Sequence, residues 1–278
     1  MIDSHQHFWQ YCPEDYDWID DSMAVIRRDF GPDDLAAVAG EVGVTGSVAV
    51  QARQSVAESQ WLLDLAGQNS FIQGVVGWVP LAESNVAEHL DQFAQNPVFK
   101  GVRHVVQGES DPGFLARDNF NAGIEAVTSH DLVYDVLIKA PQLEASIAFV
   151  DQHPNQRFVL DHIAKPVVAG APPSPWREQI AELGQRENVS CKFSGVVTEV
   201  PGEAWSPDLI EPYWDVVLNA FGADRLMFGS DWPVCLVRTS YLRWLHVVSL
   251  FASKLSTDEQ ARVMGGTATQ VYRLEGSS

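Results

Sequence analysis

The chain has 278 residues, of which 46% are hydrophobic, and its formal net charge at pH 7 is −19. This length can bury one large core, and α/β barrels reach it as single domains. The acidic balance would repel a phosphate backbone, so it argues against nucleic acid as a partner.

Eight apolar, β-rich segments recur along the chain and predict strands. They are residues 2–7, 45–51, 73–79, 100–106, 132–138, 157–162, 189–194 and 225–231. Segments with the apolar spacing of helices lie between them, such as 56–66, 86–93, 124–129 and 143–150. Alternating strands and helices favour parallel βαβ units, and eight units predict a closed (β/α)8 barrel. We therefore expect an α/β protein with a single TIM-barrel domain over residues 1–278.

Start and stop signals define several later helices. Ser-Pro pairs at 174–175 and 206–207 predict an N-cap followed by the first helical residue, and Gly222 would end the second helix. Residues 256–259, Ser-Thr-Asp-Glu, have the pattern of a capping box. The tail at 267–274 predicts one more helix, which would close the bottom of the barrel.

The first predicted strand carries a His-x-His motif. Asp3, His5 and His7 are spaced two residues apart, so a strand would place all three on one face. Neutral imidazole is the commonest metal ligand, and two close imidazoles can share a cation. The alternative is a chance pair, because isolated histidine pairs are weak signals.

Polar side chains also gather where the other predicted strands end. They include Gln51, Arg53, Trp78, Arg103, His104, Asp135, Lys139, Asp161, His162, Lys165, Lys192 and Asp231. Active sites of (β/α)8 barrels lie at the carboxyl ends of the strands, and buried charges need a partner or a function. We expect the site at this end, with the aromatic and acidic loop 8–34 shaping the pocket.

Five motifs, in order along nearly the whole chain, resemble those of the amidohydrolase superfamily. They are residues 3–9 (DSHQHFW), 100–104 (KGVRH), 161–166 (DHIAKP), 192–195 (KFSG) and 228–233 (FGSDWP). The chain is most similar to the amidohydrolase-2 type, which includes sugar-acid lactonases such as L-fuconolactonase and L-rhamnonolactonase.

The metal content implied by this resemblance is smaller than in binuclear members of the superfamily. Those members place a bridging Lys or Glu on strand 4 and a His on strand 5. This chain has Arg103 and His104 on the fourth segment and no histidine on the fifth. The resemblance therefore implies either one divalent metal ion, with zinc as the first choice and weakly bound or dispensable, or a metal-free site.

The resemblance also implies a reaction, the opening of a sugar-acid lactone by water with Asp231 as general base. The expected metal ligands are His5, His7, His162 and Asp231. His162 and His104 are the other catalytic candidates, as donors to substrate oxygens or to a developing oxyanion. The alternatives are a capping or ion-paired Asp231, and a core His162 satisfied beside Asp161.

Six side chains are predicted to bind the substrate. They are Arg103, Arg53, Lys165, Trp9, Trp78 and Trp232. Arginine suits bidentate recognition of a carboxylate or diol, and flat aromatic faces suit sugar rings. A structural salt bridge is an equal alternative for Arg103, and core packing is the alternative for the tryptophans. Lys165 and Lys192 are either substrate contacts or partners of Asp161.

Two other functions stay open. A decarboxylase or hydrolase of an aromatic or muconolactone-type acid would need arginines converging on a carboxylate, with Arg53 and Arg103 as candidates. A catalytically silent binding barrel is the third reading, and the intact set of histidines with Asp231 opposes it.

Cysteine usage and the N-terminus bear on the compartment. Cys12, Cys191 and Cys235 are widely spaced and form no C-x-x-C pair, which favours a reducing environment. The chain start lacks the pattern of a signal peptide, and no apolar run approaches the ~18 residues of a membrane span. We expect a cytoplasmic protein with a small-molecule partner and no membrane partner; the oligomeric state is open, with a homodimer as one option.

Overall fold

The computed structural model describes residues 1–202 and 204–274, in which eight parallel strands form one sheet in sequence order. They are β1 Ile2–Gln6, β2 Gly46–Val50, β3 Ile72–Gly77, β4 Phe99–His104, β5 Val133–Val136, β6 Arg157–Leu160, β7 Val189–Phe193 and β8 Leu226–Phe228. Each predicted segment overlaps one strand, and the predicted and observed ends differ by at most three residues. The predicted α/β fold with eight strands is confirmed.

The two edges of the sheet meet just beyond the ends of β1 and β8. Gln6 and Trp232 form a parallel bridge. The Asp231 amide donates to the His5 carbonyl at 2.8 Å, and the His7 amide donates to the Trp232 carbonyl at 2.7 Å. The backbone that closes the barrel therefore also carries three of the predicted metal ligands, His5, His7 and Asp231.

Ten α-helices lie in the described part of the chain. They are α1 Pro32–Ala39, α2 Val56–Gln68, α3 Val86–Phe93, α4 Asp118–Ser129, α5 Leu143–Gln152, α6 Trp176–Leu183, α7 Pro207–Phe221, α8 Tyr241–Ala252, α9 Thr257–Ala261 and α10 Thr267–Val271. The first eight each follow one strand, as in a TIM barrel. None of these helices is long and apolar enough to cross a membrane.

Helix boundaries follow local capping chemistry. The helix α1 begins inside the predicted loop 8–34, because the Asp34 carboxylate accepts from the Gly31 amide at 3.0 Å and Pro32 suits the first turn. The capping box at Ser256 and Glu259 is present. The α7 boundaries agree with the prediction. The α6 boundary does not, since Pro175 lies in the flanking position and the helix begins one residue later.

Two apolar clusters pack against the strands, one outside the barrel and one inside it. The larger one packs the outer faces of the strands against the helices. The smaller one fills the barrel interior and includes Val133, Val159 and Met227, with Tyr272 and Leu274 from the chain end. The predicted C-terminal helix is present as α10, and the residues after it close this interior from below.

Candidate active site

A cavity of about 730 Å³ opens at the carboxyl ends of the strands. Its floor carries His7, His162 and Asp231, and part of its wall comes from the loop after β1. Residues of that loop on the wall are Glu14, Asp15, Asp17, Trp18 and Met23. The predicted position of the site and the role of the loop in shaping it therefore agree with the structure.

Three histidines surround the Asp231 carboxylate. Asp231 Oδ1 lies 3.4 Å from His7 Nε2, 3.8 Å from His5 Nε2 and 3.9 Å from His162 Nε2. Ligand atoms of His5, His162 and Asp231 all lie within 4.8 Å of one another, which suits a shared metal ion. The four predicted metal ligands are therefore brought together from β1, the end of β6 and the end of β8.

The hydrogen bonds of His7 show how this set would receive a cation. His7 Nδ1 lies 2.7 Å from the Val50 carbonyl, so Nδ1 carries the proton and donates. His7 Nε2 then presents a lone pair to His5 Nε2, 3.1 Å away, and to Asp231. A backbone carbonyl that fixes the imidazole tautomer in this way is typical of metal-binding histidines. The donor set fits one divalent ion such as zinc.

Burial keeps the imidazoles neutral. It lowers the pKa of His162 to about 4, in spite of the Asp231 carboxylate nearby. Burial also lowers the pKa values of His5 and His7. Burial alone would raise the pKa of Asp231, but the adjacent His162 and His7 hold it well below its ordinary value. At neutral pH the floor therefore presents a carboxylate and neutral imidazoles, which can bind a cation or accept a proton.

Unusual backbone geometry presents these groups. The strand β6 ends at Leu160, and the chain then makes a left-handed turn with φ values of 52°, 50°, 62° and 46° at His162, Ile163, Ala164 and Lys165. Asp231 also has a positive φ, 55°. Such angles are rare for residues other than glycine, above all for the β-branched Ile163, and strained backbone of this kind clusters at functional sites.

Gly195, after β7, lets the two turns approach each other. A Cβ atom built on Gly195 would lie 2.6 Å from His162 Nδ1 and 2.8 Å from Asp231 Oδ2. Its φ of 64° also favours glycine. A side chain at this position would therefore displace Asp231 or His162.

A buried ion network lies directly beneath the histidines. Lys192 Nζ is 2.5 Å from Asp135 Oδ2, 3.1 Å from Asp161 Oδ1 and 3.2 Å from His5 Nδ1. Arg103 Nη1 is 2.9 Å from Asp161 Oδ2 and 3.2 Å from His5 Nε2. The structure thus answers one question left open by the sequence, because Lys192 is fully buried and pairs with Asp161 instead of reaching the cavity.

Two members of this network had no role in the sequence reading. From the sequence, Asp135 is only a polar residue at a predicted strand end, and no function is predicted for Tyr272. The Tyr272 hydroxyl donates to the Asp135 carboxylate at 2.8 Å, although the two are 137 residues apart. Burial raises the pKa of Asp135 to about 6, against the effect of Lys192. The available signal was a charged residue within an apolar strand, whereas nothing local marked Tyr272.

The predicted substrate contacts fall into two groups. Arg53, Arg103 and Lys165 line the cavity. Arg53 Nη1 pairs with Asp15 Oδ2 at 2.5 Å, whereas Lys165 Nζ is 4.0 Å from Glu199 Oε1. Arg103 is therefore both a cavity residue and a partner of the buried network.

The predicted aromatic contacts lie elsewhere. Trp9 and Trp232 are buried in packing around Phe30, with ring centroids 5.6 and 5.1 Å from it. Trp78 Nε1 donates to His104 Nδ1 at 3.3 Å. None of these tryptophans belongs to the cavity wall, where Trp18, 38% exposed, is the tryptophan present.

His104 also lies away from the cavity wall. Its Nε2 pairs with Glu109 Oε1 at 2.7 Å, and its ring stacks on Phe114 with centroids 4.8 Å apart. The catalytic role predicted for His104 therefore finds no support in its position. Sequence reasoning placed it correctly at the end of β4 but could not tell which way the side chain would face.

The comparison with known families follows the same motifs. The amidohydrolase family model matches residues 2–274 of the chain. The chain belongs to the amidohydrolase family. Enzymes with a TIM barrel place their active sites at the carboxyl ends of the strands, where the cavity of this chain lies.

Two curated amidohydrolase relatives match over nearly their whole length. An L-fucono-1,5-lactonase of Burkholderia ambifaria is 37% identical over 100% of this chain and 97% of its own length. An L-fucono-1,5-lactonase of Burkholderia multivorans is 40% identical over 98% and 96%. A crystal structure of a Burkholderia multivorans amidohydrolase with bound zinc is 40% identical, covers 99% of both chains and superimposes with a TM-score of 0.95.

Proposed function

We propose that this amidohydrolase opens a sugar-acid lactone by water attack. The observation that carries the proposal is the Asp231 carboxylate at the cavity floor, among three histidines that burial keeps neutral. The full-length similarity to two L-fucono-1,5-lactonases supports the lactone class. The set of converging catalytic groups also disfavours a silent binding barrel.

Asp231 acts as the general base in this proposal. Its oxygens take one proton from water, whose oxygen then adds to the lactone carbonyl. The His7 ring is fixed by the Val50 carbonyl, so its Nε2 lone pair lies 3.4 Å from Asp231 Oδ1 and faces the same space as the carboxylate. Arg103, held by Asp161 and by the Gln51 side chain at 3.1 Å, forms part of the wall that receives the substrate.

The divalent ion would be held by His5, His7, His162 and Asp231. When bound, zinc supplies a Lewis acid that polarises a carbonyl. Arg103 Nη1 lies 3.2 Å from His5 Nε2, so a cation at His5 would have a guanidinium as neighbour. Because this positive charge would oppose a bound cation, we propose that zinc at this site exchanges readily. Zinc content measured after dialysis with and without a chelator tests this point, and zinc that survives chelation would contradict weak binding.

The charges in the cavity favour a neutral, hydroxyl-rich substrate. Arg53 is engaged by Asp15 and Arg103 by Asp161, so neither guanidinium is left to bind a carboxylate alone. Glu14, Asp17 and Glu199 add negative charge to the wall. This arrangement opposes the aromatic or muconolactone-type acid, which would need converging unpaired arginines. It suits the polyol face of an aldonolactone.

A panel of lactones tests the function. Acid release would be followed with a pH indicator for neutral aldonolactones, with and without a deoxy carbon, and for a lactone that bears a second carboxylate. We expect turnover of neutral aldonolactones and little turnover of the anionic compound. Release of carbon dioxide from an aromatic acid, or hydrolysis of the anionic lactone alone, would select the alternative instead.

A further inference from the structure

We propose that Lys165 is a catalytic residue, whose ammonium group donates a hydrogen bond to the ring oxygen that leaves as the lactone opens. This inference rests on the proposed function. It deepens that function by assigning a charged donor to the departing oxygen, in addition to the proton that Asp231 returns to it.

The ammonium group of Lys165 is available to a substrate. Three cationic side chains line the cavity, namely Arg53, Arg103 and Lys165. The two guanidiniums each have a carboxylate within 2.9 Å. Among the described residues, the nearest carboxylate oxygen to Lys165 Nζ is on Glu199, 4.0 Å away, which exceeds hydrogen-bond distance. An ammonium has three donors, so Lys165 can offer them to a substrate.

A left-handed turn holds Lys165 at the cavity wall. The left-handed turn starts at His162, and the Lys165 amide donates to the His162 carbonyl at 2.8 Å. Ile163 and Ala164 are fully buried, and Trp176 Nε1 donates to the Ile163 carbonyl at 2.8 Å. Packing therefore anchors the middle of the turn, while its first and last side chains both reach the cavity wall. The positive φ values of this turn are strained for residues other than glycine, and strain retained at a site is a pointer to function.

Opening of the lactone ring develops negative charge on the ring oxygen. Water gives one proton to Asp231, and its oxygen bonds to the carbonyl carbon. The bond between that carbon and the ring oxygen then breaks, and the electron pair stays on the ring oxygen. The proton held by Asp231 passes to this oxygen, so lactone and water give the hydroxy acid. A positioned donor stabilises the oxygen while its charge develops, without a net proton from Lys165.

Two variants with a matched control test the assignment. Lys165→Met removes the charge and keeps a linear stem, whereas Lys165→Arg keeps the charge. Lys139→Met is the control, because Lys139 also acts electrostatically on Glu199 but is exposed and lies outside the cavity wall. Initial rates on the best lactone would give kcat and KM separately.

We expect Lys165→Met to lower kcat by ~10²–10³-fold, as for removal of an oxyanion donor, with a smaller change in KM. Lys165→Arg should retain more activity than Lys165→Met, and Lys139→Met should match the wild type. A Lys165→Met enzyme with kcat within about threefold of wild type, or with only KM raised, overturns the assignment. If Lys165→Met does not fold, Lys165→Gln replaces it, because it also removes the charge. A folded Lys165→Gln with kcat lowered to the same extent supports the assignment, and a folded Lys165→Gln with full kcat overturns it. Wild-type enzyme inactive on every lactone would instead contradict the proposed function.

Discussion

The barrel interior has a lower half, filled by the smaller apolar cluster, and an upper half, which holds the buried ion network. The two halves differ in chemistry although the same strands build both. On β5, Val133 belongs to the lower apolar cluster and Asp135, two residues on, belongs to the buried ion network. Along the next strand, Val159 and Asp161 repeat this pattern. Successive inward-facing positions of a strand are two residues apart, so these two strands contribute first to the packed half and then to the charged half.

This difference shows where the fold accepts a cost. The lower half gains from burial of apolar surface. The upper half buries Asp135, Asp161 and Lys192. Buried ion pairs rarely add net stability, and removal of one partner strongly destabilises the fold. Positive φ values at His162 and Asp231 add strain in the same half. The lower half stabilises a barrel whose upper half is arranged for chemistry.

The strongest test of the charged half is Asp231→Asn. This change keeps the volume and removes the base, so we expect kcat to fall by ~10²–10⁴-fold with the fold intact. Kinetics on the best lactone, with circular dichroism for folding, would measure it. Asp224→Asn, which changes a carboxylate that pairs with Arg262 at 2.8 Å, is the control. Near-full turnover by Asp231→Asn would rule out the assigned base.

The next largest effect is expected for Lys192→Met. It leaves Asp135 and Asp161 without their shared cation, so the free energy of unfolding should fall by ~3–5 kcal/mol and kcat should fall with it, since Lys192 also contacts His5. Urea denaturation and kinetics measure the two quantities.

Met227→Ala in the lower half is the comparison for Lys192→Met. It should lower the free energy of unfolding by ~2–5 kcal/mol and leave kcat of the folded enzyme near wild type. Equal loss of kcat in both variants would remove the distinction between the two halves.

Gly195→Ala tests the close approach of the two strained turns. The added methyl group would displace His162 or Asp231, and a misplacement of about 1 Å can cost ~10²-fold in rate. Gly202→Ala is the matched control, because Gly202 also has positive φ, 81°, but no atom within 4 Å of the added Cβ. Both variants carry the same kind of backbone strain, so only contact with the site distinguishes their kcat values. A wild-type kcat for Gly195→Ala would contradict the need for this glycine.

The smallest effect concerns Glu58, which is buried near the cavity mouth and accepts from the amides of Ala52 and Arg53 at 3.1 and 3.0 Å. Burial raises the pKa of Glu58 to about 7 from 4.5. The folded state therefore holds this proton where the unfolded state has lost it, and the contribution to stability declines as pH rises between these values. Glu58→Gln keeps an oxygen acceptor and cannot ionise, so its stability relative to wild type should increase from about pH 5 to about pH 8.

Urea denaturation of both proteins at several pH values would measure this difference. The unfolding free energies should converge at low pH, where Glu58 is protonated in the wild type. A difference that does not change with pH would show that the Glu58 proton is not linked to folding.

The sequence determined the barrel and the list of site candidates, because apolar periodicity and residue type are local properties. The helix-strand alternation predicted every strand, and the motifs around His5, His162 and Asp231 marked the carboxyl ends where the chemistry lies. Parallel closure also required Asp231 to lie beside β1, which the distance of 3.4 Å to His7 bears out.

The tertiary structure alone decided which way side chains face and which charges pair. His104 and Trp78 lie at predicted strand ends yet turn to each other, and Lys192 turns inward whereas Lys165 reaches the cavity. A bond such as that from Tyr272 to Asp135 joins residues 137 positions apart and leaves no local pattern. Direction and pairing depend on the positions of all neighbouring strands at once, because each strand end can be oriented only by the packing and backbone strain around it.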